Sequence, residues 1–178
     1  VSRTPIRECL FRLEHEGIVE FIPRRGAFLR KYSEKKIAEI FDMREVLEGL
    51  VARLVAATRD NAGLNSAIRL VLDRVYNLTD QGENLTKFTR ADIEFHHLLL
   101  NACDNEMLQN AMAVINTHLR LIRVRTVVIP GRARRTVEEH YKILDAIEKH
   151  DPVVAEKQMR RHVVSVRNHA LQSLNFNE

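Results

Sequence analysis

From Ser33 to about residue 174, apolar residues recur at intervals of three and four, and no other feature of this 178-residue chain restricts its fold so strongly. The first such run carries Ile37, Ile40, Phe41, Leu47, Val51 and Leu54 on one stripe and reaches about Arg59. Further helices are predicted at 63–81, 85–103, 105–128, 132–149 and 151–174. Their ends are marked by Asn61-Ala62-Gly63, Gln81-Gly82, Asp104-Asn105, Pro130-Gly131 and Asp151-Pro152. Connections this short make neighbouring helices antiparallel, so an antiparallel all-α helical bundle is expected over 33–178. There is no internal repeat, low-complexity tract or long linker, and the length suits one ordinary domain with a small appendage. No run of about 18 apolar residues offers a membrane span.

The first 32 residues follow another pattern. Between Thr4 and Glu16, Ile6, Cys9, Leu10 and Leu13 fall at helical spacing, with Arg3, Arg7 and Arg12 off the stripe. Thr4 suits a helix cap and Pro5 a first helical position. Gly17 stops the helix. A strand over 18–22, a Pro23-Arg24-Arg25-Gly26 turn and a returning strand over 27–29 should then form a basic-tipped hairpin. Charge separates the same two segments. Residues 1–36 hold nine Lys and Arg against five Asp and Glu, whereas the remainder holds nineteen of each. A basic end on a neutral body suits a polyanion-binding module joined to a unit with another task. A helix of this size fits the major groove, and a basic hairpin tip can grip nearby phosphates. An amphipathic helix with a solvated basic face would account for the same residues.

Within the helical part, a few polar residues sit on apolar faces. Asp92 and His96, four apart in TRADIEFHHLLL, project from one side of a helix. His140 belongs with Val137, Leu144 and Ile147, and His162 with Met159 and Val166. Three helices thus each carry an imidazole or carboxylate inward, a donor set that suits zinc, nickel, manganese or iron. Hydrogen-bonded core histidines would satisfy the same pattern. His97 points about 100° from His96 around the helix and should be a surface or packing residue. Arg120 and Arg123 share a helix face and Arg135 precedes the helix of His140, so all three are candidates for holding a carboxylate. Cys9 and Cys103 form no spacing motif and are expected to be free, buried thiols of a reducing, cytoplasmic protein.

The run S-R-T-P-I-R-E-C-L-x-R-L-x-x-E-G-I-V, followed by P-R-R-G-A-F-L, resembles the second half of the winged helix-turn-helix in GntR-type bacterial transcription regulators. The resemblance implies a truncated winged helix-turn-helix over 1–32, recognition helix plus wing. Ser2, Arg3, Thr4 and Arg7 would face operator DNA, and Arg25 and Gly26 would form the wing tip. It also implies that the helices normally preceding the recognition helix lie outside these residues, and that the chain by itself binds DNA poorly or not at all. The segments F-D-M-R-E-V-L-E-G-L-V-A-R-L, D-I-E-F-H-H-L-L-L-N-A-C-D-N-E-M-L, E-E-H-Y-K-I-L-D-A-I-E-K-H-D and M-R-R-H resemble the FCD ligand-binding and dimerisation domain of the FadR subfamily. Many members hold a divalent metal through one Asp and three His, and the matching positions are Asp92, His96, His140 and His162. The resemblance thus implies a homodimeric, metabolite-responsive regulator, a repressor by the commoner family arrangement, with a metal ion, most simply zinc, and a small organic acid as effector. A direct metal sensor and a small metallohydrolase are the alternatives.

Overall fold

A computed structural model describes residues 3–79, 85–126 and 132–174; among them lie seven helices and one two-stranded sheet. Helix α1, Arg3–His15, is followed by strands β1, Val19–Ile22, and β2, Gly26–Leu29. The strands pair antiparallel, with Val19 opposite Leu29 and Ile22 opposite Gly26. Six helices complete the order: α2 Glu34–Ala57, α3 Ala62–Thr79, α4 Leu85–Ala102, α5 Glu106–Thr126, α6 Arg132–Glu148 and α7 Pro152–Leu174. Each predicted helix is present, and those of its ends that fall among the described residues are displaced by about two residues at most. The boundaries at Gln81-Gly82 and Pro130-Gly131 lie outside the described residues.

Local chemistry explains the ends. Ser33 Oγ accepts from the Lys36 amide at 3.2 Å and starts α2. Asn105 Oδ1 caps α5 through the Leu108 amide at 2.9 Å, and Asp151 Oδ1 caps α7 through the Val154 amide at 3.0 Å. Helix α1 stops on Gly17, whose φ of +73° is the left-handed conformation such a stop needs. Its amide bonds Glu14 O and the Ile18 amide bonds Leu13 O, both at 2.9 Å, the paired bonds of a Schellman motif. Helix α1 begins at Arg3 rather than after Thr4. Pro5 still falls in the first turn, where its missing N–H has no helical partner to lose.

Helix α2 is the axis of the bundle. It packs along α7 and also touches α4, α5 and α6. Ile37, Ile40, Phe41, Val51, Ala52 and Val55 of α2 join Phe95, Leu99, Leu119, Ile143, Leu144, Ile147, Met159 and Val163 in one core. Both cysteines are free, but only Cys103 is buried; Cys9 is exposed, because the α1 face bearing Ile6 and Cys9 has no packing partner among the described residues. No helix among the described residues is long and apolar enough to cross a membrane.

Candidate metal centre

Four side chains from three helices meet inside the bundle. Asp92 and His96 of α4, His140 of α6 and His162 of α7 each offer a donor atom, and these atoms all lie within 4.8 Å of one another. All three histidines are buried, and Asp92 is nearly so. Their convergence follows from sequence through packing. Spacing of four puts Asp92 and His96 on one side of α4, while the α6 stripe of Val137, His140 and Leu144 and the α7 stripe of Met159, His162 and Val163 turn into the same core.

The distances suit a small cation. His140 Nε2 and His162 Nε2 stand 3.3 Å apart, and Asp92 Oδ1 lies 3.8 Å from His96 Nε2 and 3.7 Å from His140 Nε2. Two donors bound tetrahedrally at about 2.0 Å are about 3.3 Å apart, so one pair already has that spacing and the others need small inward shifts. Phe95 stacks on His140 at 3.8 Å with rings 11° from parallel, closing one wall.

The surrounding polar groups fix which nitrogen of His162 and of His96 faces inward. Glu139 Oε2 lies 2.8 Å from His162 Nδ1. A carboxylate only accepts, so Nδ1 carries the proton and the Nε2 lone pair points into the site. Glu139 is itself held by Arg132 through two 3.0 Å bonds and by Ser165 Oγ at 2.8 Å. Although burial opposes it, the hydrogen bonds from His162 and Arg132 bring the Glu139 carboxyl down to about 2. On the other side, Arg44 Nη2 lies 3.1 Å from His96 Nε2 and its Nε donates to Glu48 Oε1 at 2.8 Å. Arginine only donates, so His96 Nε2 also bears a lone pair and Nδ1 bears the proton, 2.8 Å from Glu48 Oε2. Glu48 stays ionised well below the usual carboxylate range: burial works against this, but the Arg44 charge and the donors of Arg44 and His96 beside it outweigh it.

Burial is also what holds His140 well below the usual imidazole range, reinforced by His162, His96, Arg44 and Arg132. His162 is lowered for the same first reason. Neutral rings with lone pairs converging beside a carboxylate form a donor set that fits a divalent cation, and the residues that orient them are already in place.

Sequence reasoning missed Arg44, Glu48, Glu139, Arg132 and Ser165. Only Arg44 and Glu48 carried a signal, as charged residues four apart on the inward stripe of α2. Of the arginines considered for a carboxylate, Arg120 and Arg135 are exposed and outside this cluster, and the Arg123 side chain lies outside the described residues. His97 is exposed, as its angle around α4 requires. In the leading segment Arg7, Arg25 and Gly26 are exposed, Ser2 lies outside the described residues, and so do the side chains of Arg3 and Thr4. Arg25 follows a Pro23-Arg24 turn closed by its amide on Ile22 O at 3.0 Å, with Arg24 at φ +62°.

The FCD domain family matches residues 39–165, and the chain belongs to that family, among GntR-type transcriptional regulators. It is 28% identical over 174 residues to the HTH-type transcriptional regulator YdhC of Bacillus subtilis, covering 98% of this chain and 75% of that protein. It is 22% identical over 166 residues to the HTH-type transcriptional repressor RspR of Escherichia coli, covering 93% of this chain and 72% of the repressor. Among solved structures, the metal-free FCD domain of TM0439 superposes with a TM-score of 0.66 at 18% identity, covering 83% of this chain and 99% of that domain; it bears on the fold alone. These relatives are transcriptional regulators, not enzymes.

Proposed function

We propose that this FCD-family chain serves a metabolite-responsive transcriptional repressor in the cytoplasm. Residues 33–178 form its sensing and dimerising domain, and residues 1–32 belong to its winged helix-turn-helix. The observation that carries this reading is the convergence of Asp92, His96, His140 and His162 on one buried point. These four residues hold a divalent ion, with zinc the simplest fit to three imidazoles and one carboxylate. When bound, that ion supplies a Lewis-acidic point with coordination positions left for the oxygens of a small organic acid. The protein's own contribution to the acid is Arg44, a buried guanidinium already aimed into the site, which can turn from His96 Nε2 to a carboxylate. Arg120, Arg123 and Arg135 remain candidates for a more peripheral contact.

Operator recognition is assigned to the basic leading segment. Ser2, Arg3, Thr4 and Arg7 would contact the major groove, and Arg25 and Gly26 the neighbouring backbone or minor groove. Two such units on a palindromic site require a dimer. A second copy has a suitable surface. Met43, Val46 and Leu50 form an exposed apolar stripe on the α2 flank away from α7, and α5, which packs beside α2, exposes Met107 and Val114 in a stretch from 107 to 119 without Asp, Glu, Lys or Arg. The uncharged α5 stretch meets its own copy without repulsion.

Effector binding then acts by population shift, favouring one relative placement of the two DNA-binding units. The test is operator affinity of the full-length protein, by fluorescence anisotropy, with zinc and a panel of small mono-, di- and hydroxycarboxylic acids. At least one acid should change the affinity by about 5- to 150-fold, the range typical of allosteric coupling. No change with any acid would overturn the effector part of this proposal.

A further inference from the structure

His118 plays no part in the buried cluster, yet it is tied to a defined partner. From α5 its Nδ1 lies 2.7 Å from the hydroxyl of Tyr32, and the rings meet edge to face with centroids 5.7 Å apart. The same hydroxyl donates to the carbonyl of Gly17 at 3.3 Å. Tyr32 stands between β2 and α2, where the chain passes from the helix-and-hairpin unit into the bundle. Gly17 is the residue on which α1 stops, and its carbonyl follows the paired bonds that close that helix. A side-chain relay therefore runs from the bundle, through the connecting segment, to the end of α1.

The proton count gives the relay a direction. A phenol has one hydrogen, and it is used on Gly17 O. The contact with His118 is then made by Nδ1–H donating to the Tyr32 oxygen, which a neutral imidazole protonated on Nδ1 supplies. The imidazole also stands close to the α1 stop: a Cβ added at Gly17 would meet His118 Cε1 at 3.5 Å, an ordinary van der Waals distance. All three groups are partly sheltered from water, where a short bond between oriented neutral groups holds its geometry better than an exposed ion pair does.

We propose that Tyr32 and His118 are positioning residues for operator recognition: they lock the C-terminal end of α1 to α5 and so set the orientation of the recognition helix and wing relative to the bundle. This rests on the reading of α1 as a DNA-contacting helix. Because α5 also packs on α2 and α7, a rearrangement of the bundle that moves His118 is passed to α1 through two hydrogen bonds rather than through a free hinge.

The experiment uses the full-length protein with spin labels at Glu8→Cys on α1 and Lys157→Cys on α7, both exposed sites, in a Cys9→Ser background. The distance distribution by pulsed electron resonance is compared for the parent, Tyr32→Phe, His118→Ala and His118→Gln, the last keeping an amide donor. In parallel, unlabelled versions of the same four proteins are titrated onto a DNA duplex enriched from a random-sequence pool by the parent. Tyr32→Phe and His118→Ala should broaden the distribution and weaken DNA binding about three- to tenfold with the thermal midpoint of the bundle unchanged, and His118→Gln should restore both. An unchanged distribution in Tyr32→Phe and His118→Ala would overturn the proposal, as would broadening without loss of DNA affinity. If the parent enriches no duplex, the DNA-binding reading fails instead, while the distances still decide whether the joint is rigid.

Discussion

Two of the three inward-facing imidazole nitrogens in the buried cluster owe their orientation to polar residues outside the cluster. Glu139 orients His162, and Arg44 with Glu48 orients His96. Replacing Glu139 by Gln removes the charge from the His162 Nδ1 partner and frees Arg132, so divalent metal affinity should fall about 10- to 100-fold; competition against a chromophoric chelator measures it. Acid should act on the same groups. His140 and His162 are kept neutral by burial, so below about pH 6.5 the unfolded chain takes up protons that the folded one refuses. Glu139, with its carboxyl down at about 2 instead of 4.5, contributes stability above 4.5 that is lost as the pH falls towards 2. Urea midpoints of chelator-treated protein should therefore rise steadily from pH 4 to pH 7, and a flat profile would contradict the assignment. The imidazoles themselves were legible in the sequence, because a polar residue on an apolar stripe has few places to go. Glu139 was not. It precedes His140, some 100° around the helix, and its role depends on Arg132 and on two residues of α7 that no local pattern links to it.

Short junctions between helices fix how far each donor travels along its axis. Between α6 and α7 the chain turns within about three residues: the His150 amide bonds Ile147 O and the Asp151 amide bonds Ala146 O, each at 3.0 Å, and Asp151 then caps α7. His150 occupies the left-handed position of this motif at φ +51°, where glycine is the usual residue. His150→Gly should relieve strain of about 1–2 kcal/mol, partly offset by the greater freedom of glycine when unfolded, for a net gain of up to about 1 kcal/mol in urea unfolding. Loss of stability would show that the His150 side chain has a role of its own. Element boundaries such as Asp104-Asn105 and Asp151-Pro152 could be read from sequence because capping is local chemistry. The exposure of Cys9 could not, since the apolar stripe of α1 predicts a covered face and says nothing of what covers it.

At the scale of the molecule, the division between a basic leading segment and a neutral helical body is visible in the charge count, and the all-helical fold in the periodicity. What neither reveals is that α4, α6 and α7, each pinned against α2 or its neighbours, bring four donors to one point. An ion held there ties three helices together in the native state only, so saturation at about 1,000 times the dissociation constant should add about 4 kcal/mol of stability. It would also make the bundle's internal arrangement sensitive to whatever enters the same site. The most direct measurement is metal content per chain by elemental mass spectrometry after chelator-free purification, for the parent and for His140→Ala and His162→Ala. The account predicts about one tightly held divalent ion in the parent and its loss in both variants. A parent that holds no ion and takes up none from buffered zinc would contradict it, leaving these histidines as neutral members of the core.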